Sequence, residues 1–491
     1  MLTLLRNKTQ LDRWLPLAII ALAALLRLVN LNYPATLNFD ETYYVKDAFS
    51  LLNHGVELNW QENSDNGFAS GDFSGLTTDP SFVVHPPLGK WLISLGMLVF
   101  GADNPFGWRI VVALFGVATV GLGMVCAKLL FESKAWMNLT GLFLAIDGVG
   151  IVLSRTALLD QILGFFALLS FYFLLRDLTD NSRYRPWLIA MGIALGIATA
   201  VKWSGLYFVA VFALYRWLVQ ARLSYKTHKR LEQSIDQPLD RKLWMMPAIG
   251  QGFKTLLLVT VPAFIIYLLS WTGWLISGNG WARNYAEENP ASGLFSLIPK
   301  PLQSLWYYHG EIYGFHANLH SSHPYDSNPL SWPFMLRPTS FFWEEKSTGC
   351  LFGSAESNCV SAITALGNPL IWWGAVLASS VLIGSWFRTR DRLTSLICIG
   401  LIAGYVPWLF LMGRTVFEFY VVSFSPWIIF ILIFGLKTWL DNSPNKARSK
   451  KLISGFVILV CLVSVFFYPI WSGMWIGYDF WRWHMWLPSW I

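Results

Sequence analysis

Residues 107–129 read GWRIVVALFGVATVGLGMVCAKL, an unbroken apolar run with Arg109 near its start and Lys128 near its end. As a helix rising about 1.5 Å per residue, it is long enough to cross a hydrocarbon core of roughly 30 Å. The pattern recurs along the chain. Apolar runs at about 14–31, 107–129, 135–153, 160–176, 187–201, 204–219, 255–277, 369–387, 393–411, 416–436 and 452–470 predict eleven spans and an all-α polytopic membrane protein. The run 88–101 is too short to cross and reads as a helix lying in the interface. The stretch from Pro186 to Trp217 is too long for one span. Its interruption at Lys202-Trp203-Ser204-Gly205 predicts two short helices meeting at one face. The first run exceeds a signal-peptide core and no small-residue cleavage site follows it, so it reads as a retained span.

Composition agrees. Apolar residues make up 55% of the chain and charged residues 13%, about half the charge of an ordinary soluble domain. Aromatics reach 16%, with 27 tryptophans, and Trp and Tyr gather where hydrocarbon meets water. The net charge of +7 is modest, and no basic, aromatic-interleaved patch points to nucleic acid. Its placement is more informative. The densest basic pieces are 220–254, 388–392 and 437–451, which puts them and the N-terminus on the cytoplasmic side. An odd number of spans leaves the C-terminus outside.

On this reading residues 1–491 form a single membrane domain with two large outer segments, 32–106 and 278–368. The tail from Trp471 carries six tryptophans and is expected in the outer interface. Cys126, Cys398 and Cys461 fall in spans and read as small buried apolar residues. Cys350 and Cys359 share the second outer segment. An oxidising compartment favours a disulfide between them, with two free thiols as the alternative.

A charge within or beside a span costs about 2.5–3.5 kcal/mol on insertion scales, so each needs a reason. Here the charges gather at the outer ends. Asp40 and Glu41 stand in NFDETYYVKDAF, His85 and Lys90 in VHPPLGKWL, Arg109 opens its span, and Arg155 and Asp160 flank the turn in SRTALLD. Lys202 sits at the split and Arg414 in MGRTVFEFY. Convergence of basic groups on one interface suggests an anionic headgroup held near carboxylates. Plainer readings stay open: a helix-start signal for Asp40-Glu41, snorkelling for Arg109, Arg155 and Lys202, and a stiff turn for HPPLGK. His316, His320 and His323 lack a nearby acidic cluster, so hydrogen bonding is expected of them before metal binding. Asp147, inside the third run, reads as a structural carboxylate.

NFDETYY, VHPPLGKWL, NPFGWRI, SRTALLDQILGFF and AVKWSGLYF occur in the order found in protein O-mannosyltransferases. The chain resembles their prokaryotic members, which implies a C-type glycosyltransferase fold without an added soluble domain. HPYDSNPLSWPFMLRP, the cysteine pair before ALGNPLIWW, and GRTVFEFY are also similar to that group. The resemblance implies transfer of mannose from polyprenyl-phosphate-mannose to Ser or Thr hydroxyls of exported proteins at the outer face of the cell membrane. It assigns catalysis to Asp40, with Glu41 and Asp160 as accompanying carboxylates. It places Arg109 and, in HPPLGK, His85 and Lys90 near the donor phosphate; the convergence of charges adds Arg155, Lys202 and Arg414 to the donor phosphate and sugar site, and His323, Trp332 and Arg337 are expected in an acceptor loop. The partners it implies are the lipid donor, acceptor polypeptides, the bilayer and the export machinery.

The residue types suit that chemistry. A hydroxyl is a poor nucleophile at neutral pH, so a positioned carboxylate must take its proton as it attacks C1. A lipid phosphate leaves as an anion and needs Arg or Lys more than an acid. One displacement inverts the anomeric centre, so a β-linked donor gives an α-linked product. No cofactor is required, and a divalent ion is left open. Two alternatives are kept: transfer to a lipid or glycan, as in aminoarabinose transferases, and a transporter. The absence of an internal repeat and of mid-membrane charges other than Asp147 argues against transport.

Overall fold

The computed structural model describes residues 2–180, 182–353 and 358–490, with the backbone alone for 2–12. The apolar run 107–129 lies in the helix Pro105–Phe131. Asn104 starts it by accepting the amide of Phe106, Pro105 takes the first turn where no backbone donor is needed, and Glu132 ends it with φ +53. Among the described residues six single helices are long and apolar enough to span a membrane, and a bent pair makes a seventh. The other expected spans are shorter or more polar helices, such as Pro186–Val201 and Arg392–Gly404, so the count of eleven is not established.

The expected run 135–153 is two helices, Lys134–Ile146 and Gly148–Arg155, bent by 54°. The bend has a cause. Asp147 at the break accepts the amide of Asn368 at 2.9 Å and the indole N–H of Trp372 at 3.0 Å. Ser464 donates to the carbonyl of Ile146. At Gly148 a Cβ would fall 2.1 Å from the carbonyl oxygen of Leu366, so only glycine allows this approach. Asp147 is thereby a structural joint with its own partners.

The split at Lys202 is real. Helix Pro186–Val201 stops at Lys202, whose φ of −156° is extended, and the next helix is Gly205–Ile235. A Cβ on Gly205 would meet the backbone of Thr199 at 2.5 Å, so the turn closes only on glycine. The second helix is not short. It has 31 residues, about 46 Å, and pairs with Lys242–Ser270, so much of the basic stretch 220–254 is a helical hairpin projecting past the apolar layer.

The two long segments 32–106 and 278–368 carry short helices and strands of their own. The first carries helix Glu41–His54, a two-stranded antiparallel sheet of β1 (Leu58–Trp60) and β2 (Leu76–Pro80), and helix Leu88–Phe100. That last helix buries Lys90, Ile93 and Met97 and exposes Leu95, Leu98 and Val99, one protein-facing and one outward apolar face. The second segment carries helix Lys300–Ala317 and strands β3 (Thr339–Lys346) and β4 (Cys359–Ala365). With β5 (Ile476–Gly477) these make an antiparallel sheet in the order β3-β4-β5. The Sγ atoms of Cys350 and Cys359 are bonded at the turn of this hairpin. The tryptophan-rich tail is therefore more than an interfacial fringe. It supplies β5, buries Trp471 and Trp481, and its Trp490 donates to the carbonyl of Met335.

Candidate active site

Everything at the site hangs on the turn between the first long helix and Glu41–His54. Phe39 has φ +52, a left-handed conformation that costs a residue with a Cβ roughly 1–2 kcal/mol. Four rings hold it there: Phe341, Phe417, Phe419 and His323, at centroid distances of 5.1, 5.5, 5.6 and 5.8 Å. The next residue, Asp40, is the N-cap of the helix, and Glu41 begins it. Successive helical positions diverge by about 100°, so the two carboxylates face different surroundings.

Glu41 is sealed inside. Its Oε1 accepts Nε of Arg109 at 2.8 Å and the amide of Ala157 at 2.7 Å. Its Oε2 accepts Nη2 of Arg109 at 2.8 Å and the amide of Asn38 at 2.9 Å. Arg109 also donates to the carbonyls of Leu31, Pro34 and Thr36. All five guanidinium hydrogens are thus taken, and none is left for a donor phosphate.

Asp40 is only half-buried, and its Oδ2 accepts the hydroxyl of Tyr44 at 3.3 Å. Burial pushes its pKa up to about 6, with Lys202 opposing and Asp160 adding to the rise. Lys202 donates to both oxygens of Asp160 at 3.0 and 3.1 Å and lies 4.3 Å from the ring centroid of Tyr420. Beside them stand His85 and His316, stacked at 5.4 Å. His316 meets the carbonyl of Val84 through Nε2 and Nη2 of Arg414 through Nδ1, which assigns its proton to Nε2. Burial and the charge of Arg414 hold its pKa down at about 4. His85 is likewise held neutral by burial, with Lys202 next in weight. Among the described residues, Nδ1 of His85 and Nε of Arg414 are buried with no hydrogen-bond partner. Two cations and two neutral imidazoles beside a half-open carboxylate make a surround for an anion with a base at its edge.

The structure thus brings Asp40, Asp160, Lys202, His85 and Arg414 together, with His323 behind Phe39. Other expected contacts differ. Lys90 pairs with Glu57 at 2.5 Å and Asp47 at 3.5 Å and is buried among carboxylates rather than presented to a phosphate. Arg155 donates to the carbonyls of Arg27, Val29 and Asn30, closing the C-terminal end of the first helix. Trp332 is wholly buried and donates to Ser327, which makes it core. Arg337 ties Pro324 to Ser489. His320 bonds to the carbonyl of Gly413, and His323 accepts the amide of Tyr325. Among the described residues no group of three or more His, Cys, Asp or Glu is placed to hold a metal ion. Sequence reading did not single out Tyr44, Tyr420 or His316 for this site. Tyr44 carried a signal, since i and i+4 share a helix face with Asp40.

This fold has a solved counterpart. Over 98% of the chain it superposes on 92% of a chain of the Saccharomyces cerevisiae protein O-mannosyltransferase complex bound to the sugar donor, with a TM-score of 0.74 at 15% identity. The protein is a membrane protein of the C-type glycosyltransferase fold. Residues 85–273 match the family described as dolichyl-phosphate-mannose-protein mannosyltransferase, and 301–490 match the C-terminal four TMM region of protein-O-mannosyltransferase. A Mycolicibacterium smegmatis polyprenol-phosphate-mannose–protein mannosyltransferase is 33% identical over 523 residues, 98% of this chain and 94% of that one. Its Mycobacterium tuberculosis counterpart is 30% identical, covering 98% and 93%. The chain belongs to the protein O-mannosyltransferase family.

Proposed function

We propose that the protein transfers mannose from polyprenyl-phosphate-mannose to Ser or Thr hydroxyls of exported polypeptides, with inversion, at the outer face of the cell membrane. The observation that carries this reading is the position of Asp40: half-open, with its pKa raised to about 6 and Lys202 close by, while the Arg414–His316 pair in turn lies near Lys202. A carboxylate of that pKa is ionised at neutral pH and a stronger base than an ordinary aspartate. It takes the proton from the acceptor hydroxyl as the oxygen bonds to C1 of the mannose. The bond from C1 to the phosphate oxygen breaks on the opposite side, and its electron pair leaves with the lipid phosphate. Lys202 and Arg414 stabilise that charge, and His85 offers a further polar contact.

Glu41 and Arg109 have a different task on this reading. They are positioning residues that fix the turn and so the place of Asp40. Asp160 holds Lys202 in reach of the phosphate. The N-terminus is assigned to the cytoplasm and the C-terminus to the outside, with the outer segments 32–106 and 278–368 covering the site. Association with the export machinery belongs to the same proposal, because an acceptor must reach Asp40 before it folds. Relatives alike over nearly the whole chain, all carrying the protein mannosyltransferase name, weigh against a lipid or glycan acceptor and against transport.

The test uses purified full-length protein in liposomes with β-linked, isotope-labelled polyprenyl-phosphate-mannose and a Thr-containing peptide. The expected product is a peptide carrying one α-linked mannose by NMR. An unmodified peptide, or a β-linked product, overturns the proposal.

A further inference from the structure

The sheet of the outer layer has one open side. In the order β3-β4-β5 the strand β4 is central and wholly buried, β5 covers its far side, and among the described residues no strand pairs with the outer edge of β3. A free edge offers backbone N–H and C=O groups to any extended chain, and folded proteins ordinarily blunt such edges. This strand is linked to the turn before Asp40 by a side-chain contact. The register between β3 and β4 slips between Ser340 and Phe342, which leaves Phe341 without a partner on β4. Phe341 is the residue that packs on Phe39, with ring centroids 5.1 Å apart, and Phe39 immediately precedes Asp40. Bulges of this kind bend a strand and re-aim a side chain beside active sites. Further along, Trp343, Glu344 and Glu345 are exposed, so the edge runs from the catalytic turn to an acidic, solvent-facing end.

We infer that the acceptor polypeptide binds as an added strand on the outer edge of β3, backbone to backbone, which places its hydroxyl residue beside Asp40. The inference rests on the reading of Asp40 as base for a polypeptide hydroxyl. Strand addition draws affinity from main-chain hydrogen bonds, which every sequence supplies, and leaves selectivity to side chains at alternate positions. The stretch from Phe341 to Lys346 spans about 17 Å at roughly 3.3 Å per residue, room for about five acceptor residues on one side of the hydroxyl. Glu344 and Glu345 at its far end favour basic over acidic residues there.

The experiment is an N-methyl scan of a nine-residue, single-Thr acceptor peptide, assayed with the full-length enzyme and labelled lipid donor. A methyl group removes one backbone donor and leaves the side chain unchanged. KM should rise about tenfold or more at every second position on one side of Thr, with intervening positions within about twofold and kcat held, as for loss of one hydrogen bond per site. In parallel, E344K/E345K should reverse the preference between peptides with Lys and with Glu at the distal end. A profile without alternation, or loss confined to the residues flanking Thr, overturns strand addition while leaving the transferase reading intact. An unmethylated peptide that is never mannosylated overturns both.

Discussion

Glu41 and Arg109 meet in two hydrogen bonds of 2.8 Å, both side chains wholly buried, 68 residues apart in sequence. Together they clamp the turn that presents Asp40. Removing one member leaves an uncompensated buried charge, which costs about 3–5 kcal/mol. R109A is therefore expected to melt well below the wild type in detergent. Its folded fraction should bind the lipid donor with unchanged affinity in calorimetry. Weakened donor binding in well-folded R109A would return Arg109 to the phosphate.

Arg414 behaves oppositely. Among the described residues its Nε is buried without a partner, while Nη2 donates to a neutral histidine, so its charge is available to an anion. A charge-assisted hydrogen bond contributes about 1.5–3 kcal/mol. The donor Kd of R414A should rise about 10- to 100-fold by calorimetry, with little change in melting temperature. An unaltered Kd would place the phosphate elsewhere.

Asp40 links activity to pH. The base works ionised, so kcat/KM should fall as pH drops through about 6, the value to which burial raises it. Stability has the reverse sign. A carboxyl whose pKa rises on folding stabilises the native state below its unfolded pKa near 4, and that contribution is lost as pH climbs through about 6. D40N removes the cost of the buried charge and should be more stable than the wild type at pH 7.5, by on the order of 1–2 kcal/mol. The gap should narrow as pH falls below about 6 and close only below about 4. Equal melting temperatures at pH 7.5 would mean that Asp40 is well solvated.

The hairpin of β3 and β4 is closed by Cys350–Cys359, and the hydroxyl of Tyr33, on the loop leading to Asp40, donates to Ser361 of β4 at 3.0 Å. Closing so short a loop contributes roughly 2–3 kcal/mol on the chain-entropy account. C350S/C359S should melt lower, and peptide mapping of unreduced protein should recover the linked pair. Two alkylated thiols in unreduced protein would remove the bond from the description.

Much of this was legible in the chain. Apolar runs gave the membrane class, the break at Lys202-Gly205 was placed correctly, and the gathering of Asp40, Lys202 and Arg414 follows from their positions at run ends. Partners were not legible. Nothing local distinguishes Arg109, which turns inward to Glu41, from Arg414, which keeps a free donor, because the difference lies in which distant carbonyls and carboxylates each meets. The same holds for Lys90 and Arg155: a basic residue near a span end reads identically whether it faces a phosphate, a Glu57 or the end of a helix. The bend at Asp147 needed Asn368 and Trp372, far along the sequence. The sheet was missed because β5 has two residues and arrives from the tail.

The role of Asp40 is settled by single-turnover transfer with D40N, whose side chain keeps the shape of aspartate and loses its basicity. Donor and Thr peptide are held at saturation, and donor affinity is measured on the same preparation. Transfer should fall by about 10²–10⁴-fold while donor Kd stays within about twofold of the wild type, because Lys202 and Arg414 are untouched. Transfer at the wild-type rate would show that the proton goes to another group, with Asp160 the next candidate.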